Sequence, residues 1–240
     1  MRSSAATTLG NFGFLTLGIA LGLTWRKLDR APRRTIRPIM PLSEKVQKEL
    51  DSARRFGEEL TEIVVSKKYT DGERDTLLLA YWELVSDFHR GIHALIRSGF
   101  FASAFALVRP VVECLVRAHV ALMGSEEDIK SLRDDKYKVN FKEIGSKIDA
   151  YFGLDHMMED FLNQKTRNAL HSYTHAGLQQ LGRRFRDGEV RPDYSDEEII
   201  EVIRVATSAL FMLTNLVTKH FLFEADWKKV TDTYVEWGKH

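Results

Sequence analysis

A single cysteine, Cys114, carries all the thiol chemistry of the chain. With no second thiol, an intramolecular disulfide framework is excluded, which fits a folded part kept in a reducing compartment. Prolines are equally sparse: after Pro41 only Pro110 and Pro192 remain. From Met40 onward no Pro/Gly-rich linker, repeat period or low-complexity tract divides the body. Sustained alternation of apolar and polar residues is missing as well, so extended sheets are excluded. A general excess of positive charge is also missing. Residues 1–39 hold seven Lys/Arg and one acid, leaving 28 of the 35 basic and 33 of the 34 acidic residues for the body, a formal charge there of −5. A polyanion finds no general attraction to such a surface, and any nucleic-acid chemistry needs a local basic pocket.

What the body does contain is helical spacing. Val46, Leu50, Ala53, Leu60 and Val64 recur every three or four residues and predict a helix from about Ser43 to Lys68. Thr70–Glu73 reads as a capping box before a second helix, whose face Leu77, Tyr81, Leu84, Phe88, Ile92 and Leu95 ends near Ser98–Gly99. A third helix, about Phe100–Met123, is apolar nearly all round and should bend at Pro110. Ser125 and Asn140 read as caps of two shorter helices, the second ending at Gly153. A long helix is predicted over about Asp155–Arg184, another from Ser195 to about Phe223, and a short one around Trp227–Trp237. The fold class expected for residues 40–240 is therefore all-α: a helical bundle with four long core helices and short peripheral ones.

Residues 1–39 form a separate expectation, a hydrophobic helix followed by a basic linker. Ala5–Trp25 has no charge and, as a helix, would span roughly 31 Å, about one bilayer. Trp25 then sits at an interface and the cluster Arg26–Arg37 on the cytoplasmic side, giving a cytoplasmic body tethered to the inner membrane face through residues 5–25. The alternative is a start misassigned upstream of Met40, where "MPLSEKVQKEL" reads as a natural N-terminus. No small-x-small site precedes the basic cluster, which argues against a cleaved signal.

Three polar constellations interrupt the apolar faces. Arg109, Glu113 and Arg117 lie at i, i+4, i+8 of the third helix and must pair or reach water. His89/His93 and His171/His175 are two HxxxH pairs, which on facing helices would supply four nitrogen ligands to a metal. Finally "RNALHSYTHAG" puts Arg167, His171 and His175 on one helical face, with Asn168 and Tyr173 beside them. A guanidinium forks onto a phosphate, and imidazoles exchange protons near neutral pH. Those are the parts of a metal-independent RNA cleavage, with one imidazole as base, an arginine on the developing charge and a second imidazole as acid. A structural stripe of helix–helix hydrogen bonds is the competing interpretation.

An Arg-Asn pair followed closely by histidine, late in a compact all-α domain, resembles the HEPN superfamily of helical-bundle proteins, which includes prokaryotic toxin and abortive-infection ribonucleases. "ALIRSGFFASAFALVRPVVECLVRAHVAL" followed by "LHSYTHAG" is similar to uncharacterised bacterial helical families near that group, over roughly Leu77–Gly177. The resemblance implies a homodimer with Arg167 and His171 near its two-fold axis, Asn168 as polar neighbour, RNA as substrate, no cofactor, and an antitoxin or phage-defence partner. Three residues separate Arg167 from His171, fewer than in the family's motif, and seven separate it from His175, more than in it. Cleavage, RNA binding alone, a non-catalytic membrane-tethered scaffold and a His-rich metal bundle thus all stay open.

Overall fold

The computed structural model describes residues 41–237, apart from positions 154, 176, 187, 188 and 191. The expected helix over residues 5–25 and its basic linker lie outside the described residues. The described chain is all-α apart from one two-residue ladder. Its helices are α1 (Glu44–Val65), α2 (Glu73–Arg97), α3 (Phe101–Met123), α4 (Glu126–Arg133), α5 (Phe141–Phe152), α6 (Met157–Phe161), α7 (Gln164–Thr174) and α8 (Leu178–Gly182). After the antiparallel pair β1 (Phe185–Arg186) and β2 (Glu189–Val190) come α9 (Asp196–His220) and α10 (Glu224–Trp237).

Helix starts follow cap chemistry. Ser125 and Ser195 each accept from the backbone N–H three residues on, while Asp128 and Glu198 return the bond, forming two complete capping boxes. Asn140 and Asn163 cap α5 and α7 with their side-chain oxygens. The box expected at Thr70–Glu73 does not form. Gly72 is the N-cap of α2 and offers no side chain, and the Thr70 hydroxyl bonds the Asp75 carboxylate instead.

α9 is the axis of the bundle and packs against α1, α2, α3 and α10. It is long and apolar enough to cross a membrane, yet 89% of its most apolar window is buried inside the fold. The core built around it includes Leu50, Leu60, Leu78, Ile92 and Val111, none of them exposed. Each such side chain stabilises the fold by about 1.5–3 kcal/mol through removal from water. Its buried hydroxyls are satisfied locally: Thr207, Thr214 and Thr218 donate to carbonyls one turn back. Thr214 then accepts from Trp82 Nε1 at 2.9 Å and Thr207 contacts His89 Nε2 at 3.1 Å, pinning α2 to α9.

The long helix expected over Asp155–Arg184 is instead three short ones. His156 takes a left-handed φ of 52°. Asn163 starts a new helix by accepting from Thr166 N; that helix ends at Thr174, and Gly177, in an extended conformation, is the N-cap of α8. A Cβ on Gly177 would come within 2.5 Å of Ser172 Oγ and 3.2 Å of Ser172 Cα, so a larger residue would have to displace that hydroxyl and crowd the end of α7. A continuous apolar face is compatible with these breaks because the caps, not the face, decide where a helix stops.

Candidate functional site

Pro110 has no N–H, so the carbonyl of Ala106 lacks its intrahelical donor. The Thr174 hydroxyl at the end of α7 donates to the Leu170 carbonyl at 3.0 Å and lies 3.4 Å from that of Ala106, while Gln180 Nε2 bonds the Ala102 carbonyl one turn earlier at 2.7 Å. Proline therefore leaves α3 unbroken and gives α7 a docking point. Ala169, Leu170 and Tyr173 bury the inner face of α7. That orientation turns the Arg167/His171 side toward the rim of α3, beside Arg109 and Glu113.

The result is an open cleft of 210 Å³ lined by Arg109, Glu113, Arg167, Asn168 and His171, with Phe141 of α5 as one wall. Arg109 forks. Its Nε donates to Glu113 Oε1 at 2.7 Å and its Nη1 meets His171 Nδ1 at 2.6 Å. A guanidinium can only donate, so Nδ1 accepts and the neutral imidazole carries its proton on Nε2, facing outward. The Arg167 guanidinium lies over the Phe141 ring, 5.5 Å from its centroid, which holds a long flexible cation in place. The His171 and His175 rings meet at a tilt of 46°, with centroids 4.3 Å apart. His175 itself is the C-cap of α7, past the last helical residue, so it stands over His171 without lining the cleft.

Other expected members are not at this site. Arg117, two turns from Arg109, ion-pairs with the exposed Asp135 at 3.6 Å, so the ladder splits after Glu113. Tyr173 points the other way, because two residues from His171 on a helix is nearly the opposite face. Its buried hydroxyl accepts from Arg183 Nε at 3.0 Å and its ring meets Phe105 at 5.2 Å. The four-histidine metal site is not assembled either. His89 and His93 are buried in the bundle, with His89 against Thr207 of α9, whereas His171 is exposed and holds Arg109. Among the described residues no group of three or more His, Cys, Asp or Glu side chains is arranged to hold a metal. Cys114 is no substitute nucleophile, since burial pushes its thiol up to about 11.

Sequence reasoning missed Phe141, which has no partner in any periodic face, and the interior network around Arg183. That arginine is 10% exposed, pairs with Glu198 at 2.5 Å and lies over Tyr173 and Tyr194. In the run "GRRFR" it reads as one more surface cation. Beneath it, burial and the neighbouring Glu198 charge push the Glu201 carboxyl up to about 7.

Residues 82–236 match the family of unknown function DUF6988, and the chain belongs to that family. The matched span includes every residue of the cleft. No curated protein and no solved structure matches the chain.

Proposed function

We propose that this DUF6988 member is a HEPN-like bundle of the bacterial defence or toxin type, whose Arg109–Arg167–His171 cleft grips one phosphodiester of RNA and cleaves it without a metal. The observation carrying this reading is the meeting of Arg109 from α3 with Arg167 and His171 from α7 in one solvent-open cleft. Two guanidiniums and the Glu113 carboxylate leave the lining a formal charge of +1, which matches a single phosphodiester monoanion. The acidic body offers no track for further phosphates, so specificity rests on one scissile linkage and affinity should fall with salt at a slope near −1.

The residues supply each proton transfer. A phosphate seated between Arg109 and Arg167 offers Arg109 a charged acceptor better than a neutral imidazole. His171 Nδ1 is then released and takes the proton of the 2′-hydroxyl as its oxygen attacks phosphorus. Negative charge on the phosphorane oxygens is met by the two guanidiniums. The bond to the 5′-oxygen breaks, and His175, outside the lining but beside His171, passes a proton to that oxygen through a water. Products are a 2′,3′-cyclic phosphate and a 5′-hydroxyl. Asn168 orients the strand at the rim. The fuller reading includes a homodimer, a cytoplasmic body tethered through residues 5–25, and an antitoxin or defence partner.

One observation favours a second reading, a non-catalytic membrane-tethered interaction module. Arg109 is already satisfied by Glu113 and His171, as a structural ion pair would be. Induced expression separates the two. Wild type should fragment cellular RNA to cyclic-phosphate ends and arrest growth, and His171→Ala should lower cleavage by about 10²–10⁴-fold. If wild type and His171→Ala are equally harmless under every induction condition, the cleavage reading is withdrawn.

A further inference from the structure

α2 carries two apolar stripes side by side, and the fold uses one of them. Leu78, Trp82, Val85, Ile92 and Ile96 are buried and face the interior. The neighbouring stripe, one residue out of phase, is Leu77, Tyr81, Leu84, Phe88 and Leu95, and Gly91 completes its alternation of three- and four-residue steps. Leu84 is 40% exposed, and the other four are only partly buried. The helices that pack on α2 are α1, α3 and α9, and among the described residues no further element packs extensively on it. The outer edge of the stripe therefore stays open. A Cβ added to Gly91 would lie 3.7 Å from Leu107 Cδ1, so Gly91 is a notch in the stripe with α3 as its floor. Steps of three and four are the spacing of a helix–helix seam.

This seam is complementary to a second copy of itself. A two-fold axis between Leu84 and Phe88, with the helices antiparallel, sets Leu84 against the partner's Phe88 and Leu77 against the partner's Leu95. Tyr81 then meets the partner's Gly91, so the bulkiest side chain of the stripe enters its notch. Every pairing occurs twice, as an isologous contact requires. The flanking charges obey the same symmetry. Glu83, which has no ion pair among the described residues, faces the partner's Arg90, and Asp87 beside the axis is neutralised by Arg90 of its own chain at 2.5 Å. From Leu77 to Leu95 the face is about 27 Å long and the α2–α3 pair is about 20 Å wide, so two copies bury roughly 1,100 Å² in total, enough for a specific dimer of modest affinity.

We propose that α2 is the homodimer surface of this protein, two copies packing antiparallel through the Leu77–Leu95 stripe about an axis between Leu84 and Phe88. The inference rests on the homodimer of the reading above and gives it a surface, but it uses none of the cleft chemistry: Arg109, two residues after Leu107, lies on nearly the opposite side of α3. The test is cross-linking of the full-length chain with a short bismaleimide. Cys114 is buried, so Asp87→Cys supplies the reactive thiol and wild type is the blank. Asp87 stands next to its own copy across the axis, and the two introduced thiols should couple. Ser98→Cys, exposed at the far end of α2, should not couple to itself. Adding Leu84→Asp should abolish the Asp87→Cys product while cooperative urea unfolding is retained. Arg90→Glu should raise the dissociation constant, read from yield against concentration, about tenfold, the loss of two exposed ion pairs, and Glu83→Arg added to it should restore coupling. The proposal is overturned if Asp87→Cys does not couple, if Ser98→Cys couples equally well, or if Leu84→Asp leaves the yield unchanged. Coupling by a chain that cleaves no RNA removes the cleavage reading alone, and cleavage by a chain that does not couple removes the α2 surface alone.

Discussion

Acid should unfold this protein through its interior histidines. His93 and His119 are 5% and 0% exposed, and burial lowers both from 6.5 to about 4, with Arg97 and Arg54 adding to the effect at His93. A folded-state pKa below the unfolded value means that the unfolded chain binds the extra proton. The stabilising contribution is complete above about pH 6.5 and is lost as pH falls toward 4. Taking the pH from 7 to 5 costs about 2 kcal/mol per histidine by linkage, hence about 4 kcal/mol for the pair. Against a typical total of about 5–15 kcal/mol, that is a large fraction. Glu201 acts in the opposite sense over part of this range, so one variant isolates the histidine effect. In His119→Phe the ring can no longer take a proton, and its loss of stability between pH 7 and 5 should be smaller than that of wild type by about 2 kcal/mol. Urea titrations of both proteins at the two pH values measure it. Equal losses in wild type and His119→Phe would refute the assignment of a neutral, buried imidazole at this position.

Three further outcomes are expected. Gly57→Ala puts a Cβ 2.5 Å from His89 Cε1 in a packed interior, so the urea midpoint should fall by the equivalent of about 1–3 kcal/mol. Glu201→Gln should remove a decline in stability between about pH 4.5 and 7: a carboxyl raised from 4.5 to about 7 contributes fully below 4.5 and is lost as pH rises through 7, which the amide does not show. Thr174→Val removes the hydroxyl shared between the Leu170 and Ala106 carbonyls and should cost about 1 kcal/mol, with hydrogen-exchange protection in α7 falling more than in α9.

The all-α class was legible because period and caps agree. Leu50, Ala53 and Leu60 recur on one face of α1, and Ser125, Asn140 and Ser195 stand where helices begin. The reading failed where a cap competes with an unbroken apolar face. Arg167–Thr174 looked like the middle of a long helix, but Asn163 caps its start and it stops at Thr174, three residues before Gly177 opens the next helix, and neither Asn163 nor Gly177 carries a hydrophobic signal. The cleft was half legible. Arg109, Glu113, Arg167 and His171 stand out as charged or titratable groups on greasy helices, and they do converge. Arg117 and Tyr173 share their spacing or their neighbourhood yet go elsewhere, since a helical period gives the face but not what packs against it. Arg183 escaped for the converse reason. Three rings and Glu198 bury a residue whose local sequence reads as solvated.

Pro110 bears most directly on how the cleft is held. An eleven-residue helix such as α7 is marginal by itself in water. It persists because Ala169, Leu170 and Tyr173 are buried and because Thr174 reaches a carbonyl that proline left open. Replacing Pro110 by alanine would restore the missing N–H and strengthen α3, yet it would also give the Ala106 carbonyl an intrahelical donor that competes with Thr174. The two effects separate experimentally: α3 gains stability while the anchor of α7 weakens. Arg109 lies one residue before the proline and His171 one turn before Thr174, so loosening that end of α7 should lengthen the 2.6 Å contact between them. The geometry of the cleft therefore rests first on the buried face of α7 and only secondarily on the carbonyl that proline leaves open.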